Sequence, residues 1–82
     1  MKLPIIRQFY QNQTPENLET TLEVLESFSE FRNVSEEDLN VTGELITNIC
    51  GALEVHASVQ NGMSEKDALN SFAQKVMSSI DK

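Results

Sequence analysis

The stretch "SEEDLNVTGELITNICGALEVHASVQNG", residues 35–62, decides the fold. Ser35 is suited to cap a helix, with Asp38 three positions on in a weaker variant of the capping box. At the far end, Asn61 and Gly62 spell a helix stop, the glycine taking the left-handed position after the cap. Between these signals Val41, Leu45, Ile46, Ile49, Ala52, Leu53, Ala57 and Val59 recur at helical spacing and fill an arc about half the helix wide. His56 lies inside that arc and Cys50 at its edge. Gly43, Thr47, Gly51, Glu54 and Ser58 make the opposite, nearly smooth side. One helix over residues 36–61 is predicted. Residues 40–43, where a β-branched pair meets a glycine, are the place where it breaks if it breaks.

This stretch also holds the only cysteine and the only histidine of the chain. A Cys/His pair works chemically only in near contact, which within one helix means a separation of three, four or seven residues. Cys50 and His56 are six apart, so they point about 120° away from each other with ~9 Å of rise between them. They form no dyad. His56 reads as a core or interface residue held by a neighbouring hydrogen bond. Cys50 reads as a small buried hydrophobe, slow to react with thiol reagents. Glycine costs about 0.8–1 kcal/mol against alanine inside a helix, so Gly43 and Gly51 invite a reason. Close approach of the N-terminal segment, or of a second subunit, is the obvious one.

Outward from the central helix, both flanks repeat its grammar. Thr14 caps a helix opened by Pro15 and Glu16. Leu18, Thr21, Leu22, Leu25, Phe28 and Phe31 form its stripe, and it is expected to end near residues 32–33. Ser64 and Asp67 start another, with Leu69, Phe72, Ala73, Val76 and Ile80 as its apolar side. Residues 1–13 carry two positive charges and no acid, with Leu3, Ile5, Ile6, Phe9 and Tyr10 as apolar members. Pro4 suits the first turn of a short helix, although an extended arm is equally compatible. No alternating strand pattern, linker or repeat intervenes. The chain is read as one all-α domain over residues 1–82. It has three main antiparallel helices (about 15–32, 36–61 and 65–80) and a short N-terminal helix or arm.

Thirteen acids against six bases leave a net charge of −7 over 82 residues. Phosphate backbones repel such a surface, and no Lys/Arg cluster is present, so nucleic acid is excluded as a partner. No run approaches the ~18 apolar residues of a membrane span. The N-terminus, broken by Pro4 and Arg7, is no secretory signal. A single cysteine fits a reducing compartment, and the expected location is cytoplasmic. No second histidine, Cys-x-x-Cys or Glu-x-x-His accompanies His56, so no metal ligand set is predicted. No catalytic or cofactor-binding residue is predicted either, and the protein is read as a non-enzyme.

Glu16, Glu19, Glu23, Glu26 and Glu30 fall on one stripe opposite the apolar side of their helix, with no lysine interleaved. They are the candidate partner-binding residues, forming an acidic dock for a basic protein. Leu3, Ile5, Ile6, Phe9, Tyr10 and His56 are the candidate homodimer interface, because one thin core cannot easily cover them all.

The segments "FSEFR", "GELITNICGALEVH" and "GMSEKDALNSFAQKV" resemble an uncharacterised family of short helical proteins of Bacteroidota, along nearly the whole chain. The resemblance implies a compact helical fold and cytosolic residence, without catalytic residues. It also implies gene proximity to thiol-redox proteins. The leading functional expectation is a helical protein–protein interaction domain that forms a homodimer. The alternatives are an acidic adaptor or inhibitor of a basic protein, and an accessory to thiol-redox proteins acting through Cys50.

Overall fold

A computed structural model describes residues 3–80, with side chains as far as Lys75. It comprises α1 (Leu3–Asn12), α2 (Pro15–Ser29), α3 (Glu36–Gln60) and α4 (Glu65–Ile80), with no strand among the described residues. The all-α expectation stands. Val76 and Ile80, expected on the stripe of α4, lie outside the described side chains.

The starts of α2, α3 and α4 are built as their sequences predict. Thr14 Oγ1 accepts from the Asn17 N–H at 3.2 Å, Ser35 Oγ from Asp38 N–H at 3.1 Å and Ser64 Oγ from Asp67 N–H at 3.1 Å. Each bond satisfies an amide that the helix itself leaves unpaired. The end of α3 is a Schellman turn. Gly62, at φ 104°, donates to Val59 O at 3.0 Å, and Met63 N–H donates to Ser58 O at 3.1 Å. Only glycine takes that φ without strain.

Three expectations sharpen or change. The N-terminal segment is a helix, not an arm. The central helix runs unbroken through residues 40–43. Helix α2, by contrast, stops at Ser29, earlier than its stripe suggests. The chain tightens there, with Glu30 N–H bonded to Ser27 O and Phe31 N–H to Phe28 O, both at 3.1 Å. It then reverses through Asn33 at φ 66°, a left-handed conformation that asparagine tolerates. Phe31 therefore sits in a turn and not on the helix.

Helix α3 is the central strut. It packs on α1, α2 and α4, and α1 also reaches α4. The core takes Ile6 from α1, Leu18 from α2, Ile49, Ala52 and Val55 from α3, and Ala68, Leu69 and Phe72 from α4. Phe9, Tyr10, Leu22, Leu25, Leu53 and Val59 close its rim. All the α3 members lie in its C-terminal half. Its N-terminal half buries only Thr42, whose hydroxyl donates to Asp38 O at 2.7 Å.

The buried face of α3 is turned from the expected arc. It runs through Asn48, Ile49, Gly51, Ala52 and Val55, a rotation of roughly 70° at 100° per residue. The reason is Gly51. A methyl group there would stand 2.9 Å from Ile6 Cδ1 and 2.9 Å from Phe72 Cζ, so its missing side chain is the room in which α1 and α4 meet α3. The expected close approach exists, and side chains of the N-terminal segment and of α4 make it. Gly43 has nothing within 4 Å of a would-be Cβ and no packing reason of that kind.

Candidate interaction surface

The turn of α3 settles the positions of its two chemically distinctive residues. Cys50 is exposed, which corrects its expected burial. The same rotation that turns Gly51 inward carries its neighbour outward. Cys50 in the native protein is therefore expected to react with an aromatic disulfide reagent to one equivalent, at close to the rate of a free thiol. A native rate slowed more than about tenfold, recovered on denaturation, would contradict that exposure.

His56 is half-buried. Its Nε2–H donates to the Gln13 carbonyl at 3.1 Å, and its ring lies on Tyr10 with centroids 4.5 Å apart, tilted by 48°. A carbonyl only accepts, so the nitrogen facing it carries the proton. The imidazole thus latches the junction of α1 and α2 onto α3, as the expected neighbouring hydrogen bond. Among the described residues, no group of three His, Cys, Asp or Glu could hold a metal ion.

The six candidate dimer residues part company. Ile6 is wholly buried in the chain's own core, and Phe9, Tyr10 and His56 are half-buried against it. Ile5 is half-buried and Leu3 is exposed. Leu3 stands at an open groove of about 680 Å³ between α1 and α4, walled by Arg7, Gln11, Glu65, Lys66 and Leu69. Glu65 is occupied there. It accepts from Gln11 Nε2 at 2.8 Å and lies 3.9 Å from Arg7 Nε. The groove depends on α1 meeting α4, which no periodicity in one helix reveals.

The acidic stripe is where the sequence puts it. Glu16, Glu19, Glu23, Glu26 and Glu30 are all exposed, and no ion pair among the described residues holds any of them. What sequence reasoning missed lies beside it. Val24 is 62 % exposed, Phe31 60 %, Val41 57 % and Leu39 40 %, all within the α2–α3 pair. Phe31 meets half-buried Phe28 edge to face at 5.8 Å, so two rings reinforce each other at the turn. Charge concentrates in the same place. Residues 15–44 hold nine of the thirteen acids and one base, Arg32, whereas the rest of the chain holds four acids and five bases. The negative charge of the protein is therefore the charge of the α2–α3 pair.

The fold and this surface define an all-helical protein with an acidic, partly apolar end. No described helix is long and apolar enough to cross a membrane. The chain belongs to DUF6952, a family of unknown function whose pattern matches residues 1–81. No curated protein and no solved structure matches it.

Proposed function

We propose that this chain is a non-enzymatic helical interaction domain that engages another protein through the α2–α3 pair. One observation carries the reading. Val24, Phe31, Leu39 and Val41 stand exposed on the one part of the fold that adds almost nothing from α3 to the core. Large apolar side chains left in water are a cost unless something covers them. The connections of six and four residues around α3 favour antiparallel neighbours for α2, α3 and α4, which leaves that end of the pair projecting. The same proposal places the protein in the cytoplasm, where an unpaired cysteine stays reduced.

Within this reading the glutamate stripe of α2 steers and orients the partner. Reversing Glu19, Glu23 and Glu26 to lysine is expected to abolish capture of the principal native partner while leaving helicity unchanged. Unchanged capture would reduce the stripe to a solubilising face. The carboxylates stand exposed along one helix with no cleft around them to hold a substrate, which supports binding over acid–base work.

Homodimerisation is the second reading, and it is favoured by Leu3 at the lip of the α1–α4 groove. With Ile6, Tyr10 and His56 engaged inside one chain, a dimer would use the outer side of α1. Light scattering at micromolar concentration decides it. A mass near the 9.2 kDa of one chain rules out a stable dimer, and twice that mass supports one. An accessory role in thiol-redox chemistry is favoured by the exposure of Cys50. It requires that Cys50→Ser remove a mixed disulfide formed with the partner.

A further inference from the structure

We infer that the occupant of the α2–α3 face is a basic amphipathic helix of a partner protein; the inference rests on the interaction-domain reading and names its ligand. On a helical wheel, Val24 and Phe28 lie to one side of Leu18 and Leu25, the α2 positions turned inward. Val41 lies to the same rotational side of Thr42 and Ile49, the inward positions of α3. In an antiparallel pair those two sides are one face. Phe31, packed edge-on to Phe28, extends that face into the turn. The result is a row of apolar groups along two helices, the arrangement into which a third helix lays an apolar stripe.

Charge chooses among the possible occupants. Glu37 and Glu44 stand four residues before and three after Val41, hence directly above and below it on α3. Both are exposed. On α2 the stripe from Glu16 to Glu30 lies roughly 120° round the helix from Val24, so it adds to the negative field of the pair without lining the face. A second copy docked face to face would bring together two α2–α3 pairs of net charge −8, nine acids less one arginine each. An anionic membrane or a nucleic acid meets the same repulsion. A helix with leucine-like residues on one side and Lys/Arg on its flanks satisfies both features. Its apolar stripe covers Val24, Phe28, Phe31 and Val41 while its flanking cations meet Glu37 and Glu44 in the field of the α2 stripe. The 15 residues of α2 span about 22 Å, so about 15–18 residues of partner helix fill the face.

The test titrates the full chain into a fluorescein-labelled peptide of about 18 residues, leucine on one helical stripe and lysine elsewhere, read by anisotropy. Saturable binding of one peptide per chain is expected. It should weaken about tenfold or more in Val24→Ser/Phe31→Ser/Val41→Ser and in Glu37→Lys/Glu44→Lys, with helicity by circular dichroism unchanged. Binding should also fall with rising salt. Absence of saturation, equal affinity for a scrambled peptide of the same composition, or equal affinity when glutamate replaces lysine would each overturn the inference. So would a doubling of mass that the triple serine variant abolishes, because that gives the face to a second copy. If the triple variant loses its native partner but the basic peptide never binds, the interaction-domain reading stands and the basic helix falls. If native capture is also untouched, both fall.

Discussion

Ile6→Ala is expected to lower the melting temperature by at least about 10–15 °C, the same drop at every protein concentration. Ile6 is wholly buried and is the only member of the central cluster that α1 supplies. Truncating a buried isoleucine to alanine costs about 2–5 kcal/mol. Against a total stability of about 4–12 kcal/mol for a chain of this length, that is a large share. Each kcal/mol moves the midpoint of so small a domain by about 4–8 °C. Thermal unfolding followed by circular dichroism measures it, with Leu3→Ala, an exposed neighbour, as the control. A melt shifted by less than about 3 °C, or shifted only at low concentration, would return α1 to the role of a subunit contact.

The second large effect contrasts two glycines in the same helix. At Gly43 a methyl group meets nothing within 4 Å, so Gly43→Ala is expected to stabilise by the helix-propensity difference of about 0.8–1 kcal/mol. At Gly51 the same methyl would stand 2.9 Å from both Ile6 Cδ1 and Phe72 Cζ. Overpacking of that kind costs about 1–3 kcal/mol, more than the propensity gain returns. Gly51→Ala should therefore melt below the wild type and Gly43→Ala above it, the two about 2 kcal/mol apart. Equal stabilisation by both substitutions would mean that α1 and α4 do not converge on Gly51.

That contrast also shows where sequence reading stops. Local chemistry was legible. Thr14, Ser35 and Ser64 cap the helices they were expected to cap, and Gly62 ends α3 in a left-handed turn, because these signals act within four residues. The identity of the buried face was not. A wheel weights large apolar residues, so Gly51 counted toward the smooth side although its lack of a side chain is what admits Ile6 and Phe72. Cys50 was misplaced by the same rotation. The end of α2 was overrun because Phe31 continues the helical spacing after the helix has already ended at Ser29. The state of residues 3–12 was open because a ten-residue helix owes its stability to what it packs on.

The candidate surface was half legible for a related reason. The glutamate stripe is a pattern within one helix and can be read from spacing alone. The exposure of Val24 and Val41 cannot. Both repeat in phase with residues that are covered elsewhere, and only the placement of the core in the C-terminal half of α3 leaves them in water. The latch from His56 to Gln13 spans 43 residues of sequence and is equally invisible to periodicity.

The central claim is that the α2–α3 pair is the surface by which this protein meets its partner. It is tested most directly by amide chemical-shift mapping of the isotope-labelled chain on addition of the captured native partner. The account predicts that the perturbed amides gather at Val24, Phe28, Phe31, Glu37, Val41 and Glu44 and leave the α1–α4 groove untouched. Perturbations centred on Leu3, Arg7, Lys66 and Leu69, with the α2–α3 pair silent, would contradict it.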